Sequence, residues 1–169
     1  MKKTIVLSLV LILAGSLVLT GCGEEKVAEE LTEKAIEDST NGSAGVDVEN
    51  DSVTVNTNGS SFSAGESVSL PSGFPSDVHV IDGTVKAATT ITEGEVYSVS
   101  VQTDTSVSDV ADEYQEELAN DGWDINMSLD IEGISSMTAE KDNRTVTVSI
   151  GEDEDEGKTL VTIGTSIHE

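Results

Sequence analysis

Ser106-Val-Ser-Asp-Val-Ala-Asp-Glu-Tyr-Gln-Glu-Glu-Leu-Ala-Asn-Asp-Gly-Trp123 is the stretch on which the fold of this chain turns. Val107, Val110, Ala111, Tyr114 and Leu118 recur at spacings of three and four, which predicts a helix over 106–121 with one apolar stripe and one acidic face. Ser106 is a good N-cap, Asp109 three residues on approximates a capping box, and Asn120-Asp121-Gly122 stops the helix. Trp123 follows at once and is expected to pack near the helix end. A helix with a single apolar stripe must bury it against another layer. The sequence on either side of it alternates with a period of two, which supplies that layer.

Upstream, Val78, Val80 and Ile81 form a short apolar run closed by Asp82-Gly83, which places His79 in a strand. Residues 84–92 alternate, with Val85, Ala87, Thr89 and Ile91 on one side. Glu93-Gly94 makes a turn, and residues 95–103 alternate again with Tyr97, Val99 and Val101 facing the core. Downstream, Ile125, Met127, Leu129 and Ile131 alternate, then Met137 and Ala139. A turn at Lys141-Asp142-Asn143-Arg144 leads to Val146, Val148 and Ile150, and the final strand runs from Lys158 to Ile167. The order β-β-α-β-β-β-β predicts an α+β, two-layer domain: one main helix on a mostly antiparallel, twisted sheet. The opposite sheet face carries Ser, Thr, Asn and charges and is expected to meet water. Aromatic residues are 3% of the chain, so the core must come from Val, Ile, Leu and Met.

The N-terminal part is organised differently. Residues 24–40 are charged and helix-favouring, with Val27, Ala28, Leu31, Ala35 and Ile36 as a thin apolar stripe; this is a charged N-terminal helix or tether. Val46, Val48, Val53 and Val55 around Glu49-Asn50-Asp51-Ser52 are a candidate hairpin. Residues 56–69, rich in Ser, Gly and Asn, are expected to be loop, and Leu70-Pro71-Ser72-Gly73-Phe74-Pro75 leads into the main domain. The expected organisation is a signal segment over 1–21, an acidic tether over 22–70 with a helix at about 24–40 and a hairpin at about 46–55, and the α+β domain over 71–169.

Lys2 and Lys3 precede an apolar stretch, Ile5 to Leu13, continued by Leu17-Val18-Leu19 and closed by Thr20-Gly21-Cys22. This resembles the lipobox of bacterial lipoproteins. The resemblance implies cleavage between Gly21 and Cys22 and a diacylglycerol thioether on Cys22, with N-acylation of the new terminus. No other cofactor is expected. It also implies an extracytoplasmic location: the outer face of a cell membrane, or the outer membrane of a Gram-negative cell. One acyl chain holds a protein only reversibly, and two or three make release slow. The soluble part, through Leu70 to Pro75, the capped helix ending in Asp121-Gly122-Trp123 and the Thr138–Ile150 hairpin, resembles small bacterial lipoproteins of unknown function. That likeness implies no activity.

Cys22 is the sole cysteine, so the exported domain forms no internal disulfide and its stability must come from packing. The 33 acidic residues outweigh 8 Lys and Arg for a net charge of −25. Nucleic acid is thereby excluded as a partner, and the lipid anchor is the expected link to the membrane.

Gly151-Glu152-Asp153-Glu154-Asp155-Glu156-Gly157 joins the last two strands and is the candidate cation site. It fails as an EF-hand loop, because the position of the bidentate Glu falls on Ile163. The competing reading is a solvated hairpin tip whose charges discourage edge-to-edge aggregation. His79 and His168, the only histidines, have no ligand spacing around them. Neither a nucleophile elbow nor a P-loop, dinucleotide fingerprint or zinc-protease motif occurs, so no catalytic residues are expected. The expectation is a monomeric, non-enzymatic lipoprotein that acts by contact with an envelope protein partner or as a structural module of the envelope, through the open sheet face or an exposed edge strand. The alternative is a cation- or small-ligand-binding lipoprotein that serves a transporter.

Overall fold

The computed structural model describes residues 44–168 except 50, 58, 92–95, 132 and 154–155. Nine strands form one sheet: β1 Ala44–Glu49, β2 Ser52–Thr57, β3 Ser60–Gly65, β4 Thr84–Ile91, β5 Val96–Thr103, β6 Asp124–Ile131, β7 Ile134–Lys141, β8 Arg144–Asp153 and β9 Lys158–Ile167. A single described helix, α1 Val107–Asn120, lies between β5 and β6. The spatial order is β1-β2-β3-β4-β5-β9-β8-β7-β6, and every pairing is antiparallel. After β5 the chain crosses in α1 to the far edge. It then returns as the β6–β9 meander until β9 pairs with β5, and α1 packs on β6, β7 and β8. This is the α+β two-layer arrangement that the alternating strands around the 106–121 pattern predict.

Helix α1 begins and ends where its sequence says it should. The Ser106 Oγ accepts from the Asp109 backbone N–H at 3.2 Å and donates to Asp109 Oδ2 at 2.7 Å. The cap is therefore made, but Asp109 takes the hydroxyl proton instead of reaching back to a backbone N–H as a full capping box would. At the other end Trp123 N–H donates to Leu118 O and Gly122 N–H to Ala119 O, a Schellman motif, with Gly122 at φ +82°. Val110, Tyr114 and Leu118 are buried in the core with Val99, Val101, Met137, Val146, Val148, Ile150, Val161 and Ile163.

The loop between β3 and β4 closes the same side. Residues 78–81 are not a strand; Val78 and Ile81 reach the core from an irregular segment, so the expected strand around His79 is corrected. Tyr114 Oη accepts from Ile81 N–H at 3.2 Å, and Trp123 Nε1 donates to Asp77 O at 2.8 Å. Those two bonds do for this loop what ladder pairing would do for a strand.

Upstream, the hairpin expected at 46–55 is β1–β2, turning through Asp51 at φ +62°. The stretch expected to be loop contains β3, which pairs with β2 and β4. Asn58-Gly59, a strong hairpin turn signal, sits between Thr57 and Ser60, which pair, and Gly59 takes φ +86°. The Ser-rich composition masks that signal. Residues 24–40 and 1–22 lie outside the described residues, as does the turn at Glu93-Gly94.

Two β-bulges change which side chains share a face. In β4 the register shifts between Val85 and Ala87, so Val85 pairs with Val101 while Ala88 pairs with Val99. Val85 and Ala88 therefore face the helix, and Ala87, Thr89 and Ile91 face away. The expected grouping of Val85 with Ala87, Thr89 and Ile91 is corrected. In β6 the shift falls between Ile125 and Met127. Ile125 pairs with Ala139 and faces the helix, whereas Met127, Leu129 and Ile131 sit opposite Thr138, Ser136 and Ile134 on the open side. One extra residue thus turns out three side chains that simple alternation assigns to the core.

Candidate functional site

The open side of the sheet is hydroxylic in its middle, as expected. Thr147 and Ser149 are exposed there, and Ser100 and Thr162 hydrogen-bond side chain to side chain at 3.0 Å. At the edges it is apolar instead. On the β6–β7 hairpin Met127, Leu129, Ile131 and Ile134 are 54%, 52%, 61% and 59% exposed. Ile131, Ile134, Gly151 and Leu160 stand in one row across four strands, and Leu160 is also exposed. At the other edge Val46, Val55 and Phe62 share a row, and Val48, Val53 and Ala64 the next. A contiguous apolar strip on an edge strand is what protein-binding sheets present, whereas scattered single residues would signify nothing.

Behind the hairpin, on the helix side, lies an open cleft of about 510 Å³ between the start of α1 and the β6–β7 strands. Asp112, Asp130 and Glu152 contribute carboxylates to its walls, Ser106 and Ser128 hydroxyls, and Met137 an apolar contact. No Lys or Arg lines it. Ser135, 1% exposed, also lines the cleft, and its Oγ has no hydrogen-bond partner among the described residues. The four described basic side chains are engaged elsewhere: Lys86 with Glu66 at 2.8 Å, Lys158 with Asp104 at 3.5 Å, and Lys141 and Arg144 with Asp77. The cleft carboxylates are therefore left without a counter-charge from the described chain. A second cavity, of about 380 Å³, lies under the 69–73 loop, where Ser61, Ser63 and Thr90 face Tyr97.

The Asp77 cluster is a clamp. Arg144 donates to both Asp77 carboxylate oxygens, at 2.8 and 2.6 Å, and Lys141 donates to Oδ2 at 2.8 Å and to Asp121 O at 2.8 Å. Both cations also lie over the Trp123 ring, at 4.9 Å for Arg144 and 5.7 Å for Lys141. The Arg144 hydrogen bonds hold the Asp77 carboxyl well below the usual carboxylate range, against the opposing effect of burial, with Lys141 adding to the depression. The clamp joins the 66–83 loop, the end of α1 and the β7–β8 turn. Both cations are engaged within the chain, which gives the cluster a mechanical role. Sequence shows each of these residues, but nothing in their spacing announces that they meet.

Cys22 and Gly21 lie outside the described residues, as do Glu154 and Asp155 of the acidic tip. Of the remaining tip residues, Glu152 faces the cleft, Asp153 Oδ2 accepts from Gln102 Nε2 at 3.0 Å, and Glu156 is exposed in the turn. Among the described residues no group of three His, Asp or Glu side chains is placed to hold a metal ion. His79 Nε2 meets Glu113 Oε1 at 2.8 Å with its ring edge-on to Tyr114, and His168 hydrogen-bonds Thr145.

Residues 84–157 match the START domain-like family. The START domain-like region runs from β4 through the turn before β9, so it contains α1, the β6–β7 hairpin and the cleft, and leaves out β1–β3 and β9. Neither the curated proteins nor the solved structures contain a match to the chain. The likeness bears on the region's architecture and carries no activity with it.

Proposed function

We propose that this chain is a lipid-anchored, extracytoplasmic module that binds another envelope protein through the open side of its β6–β7 hairpin, without catalysis. The observation that carries this reading is the strip Met127, Leu129, Ile131 and Ile134, each more than half exposed at a sheet edge. Burying apolar surface contributes roughly 25 cal/mol per Å², so such a strip is a source of binding free energy left unused by the fold. The Lys2–Cys22 pattern supports the anchor, which would present the hairpin near a membrane surface.

A photo-crosslinking residue placed at Leu129 in the native envelope is expected to capture a partner, and one at Thr147 in the hydroxylic middle is not. Equal capture at both positions, or none at either, overturns the docking reading. The anchor is tested separately: Cys22→Ser is expected to release the protein from the membrane fraction, and retention there refutes lipidation.

A further inference from the structure

We infer that the hairpin's partner is an extended segment of alternating basic and apolar residues that adds to the sheet as a tenth strand beside β6. This rests on the docking reading above and specifies the partner's chemistry. β6 is the last strand of the described sheet, and nothing described pairs with its outer edge. It is eight residues long, and past the bulge between Ile125 and Met127 it carries neither Lys nor Pro to blunt the edge.

Past its bulge the two faces of β6 differ in kind. Met127, Leu129 and Ile131 point to the open side, while Ser128 and Asp130 point to the helix side and line the cleft with Asp112 and Glu152. A strand added to β6 has the same period of two. Its apolar side chains then lie beside the Met127–Ile131 row, and its alternate side chains lie over the cleft. Asp130 stands on β6 itself, with Asp112 on α1 and Glu152 on β8 farther across the cleft; none has a counter-charge among the described residues, and together they favour cations at those positions. A second copy of this chain is the poorer occupant, because the net charge of −25 opposes self-association and β6 itself presents Asp130 where a cation is required. The recognition mode is β-augmentation: backbone hydrogen bonds supply affinity, and the two faces supply specificity.

The test uses the full chain in neutral detergent with three acetylated, amidated heptapeptides, followed by calorimetry and amide hydrogen exchange. Lys-Val-Lys-Ile-Lys-Val-Lys is expected to bind and to slow exchange in β6. Lys-Lys-Val-Ile-Val-Lys-Lys, of equal composition but without alternation, is expected to bind about tenfold more weakly, the loss of roughly one well-placed charged contact. Glu-Val-Glu-Ile-Glu-Val-Glu is expected not to bind. The double variant Asp130→Asn, Glu152→Gln and, separately, Leu129→Ser each weaken the alternating peptide, while Val53→Ser on the far hairpin leaves it unchanged. Equal binding of the alternating and blocked peptides, protection of β1 instead of β6, or undiminished binding by the double variant overturns the proposal. If the peptides fail but crosslinks still form at Leu129, strand addition is wrong and the docking reading stands. If both fail, both fall.

Discussion

β8 and β6 flank the same strand, β7, and look alike in sequence, yet their apolar rows lie on opposite sides of the sheet. β8 places Val146, Val148 and Ile150 at 1% exposure or less, all against α1. β6 offers the same kind of alternation in Ile125, Met127, Leu129 and Ile131, but only Ile125 faces the helix side. The difference is a single bulge near Asn126, and it teaches that alternation predicts a shared face only while the ladder keeps its register. The same happens in β4, where the shift near Lys86 separates Val85 from Ala87. The shift is not confined to an edge: β6 is the last strand of the described sheet, whereas β4 pairs with both β3 and β5.

The sharpest test of that contrast is truncation. Ile150→Ala is expected to lower the unfolding free energy by about 2–5 kcal/mol, whereas Leu129→Ala stays within about 0.5 kcal/mol, measured by urea unfolding. Comparable losses at the two sites would mean that the β6 side chains are buried after all.

The Asp77 clamp secures the covered side and makes it acid-sensitive. Because the folded state depresses the Asp77 pKa, its contribution is present above the unfolded value of about 3.9 and fades as the pH falls through that value toward the lower folded one. Melting temperatures taken from pH 7 down to pH 3 are expected to fall less steeply in Asp77→Asn, which starts from a lower value. Arg144→Ala, which leaves Asp77 with Lys141 alone, is expected to cost about 1–2 kcal/mol at neutral pH. Tyr114 sets the opposite limit: burial pushes its phenol up, so the folded state holds that proton more tightly and loses stability as the pH rises past about 10.

A smaller effect marks the point where the chain leaves α1 for β6. A Cβ at Gly122 would meet nothing within 4 Å, so Gly122→Ala tests backbone conformation alone. At φ +82° it is expected to cost about 1 kcal/mol in thermal unfolding. The smallest expected effect lies where the two regions touch. Ser135→Ala removes a buried hydroxyl with no partner, so the melting temperature is expected to hold or rise slightly. A drop of several degrees would show that the hydroxyl is bonded.

Much of the fold was legible because its signals are local. The stripe from Val107 to Leu118, the Ser106 cap and the Gly122 stop define α1, and the Lys141-Asp-Asn-Arg144 turn and the alternation around it define β7, β8 and β9. The site was less legible. Asp130 and Glu152 are 22 residues apart and Asp112 is on another element, so no spacing rule links them, and the acidic composition hides any one pair. Asp77, Trp123, Lys141 and Arg144 are likewise scattered in sequence and are joined only where loop, helix end and hairpin meet.

By itself, then, the sequence determined the period of α1 and of the strands that flank it, the ends of α1, the two-layer class, the acidity and the single cysteine in its lipobox-like setting. These follow from propensity, capping and composition, which act over a few residues. Only the tertiary structure decided which face each strand shows, that Ser60–Gly65 joins the sheet as β3, and that an apolar strip and a cleft without cations lie back to back on the β6–β7 hairpin. Register and proximity are set by pairing between distant segments, and a bulge of one residue is enough to reverse them.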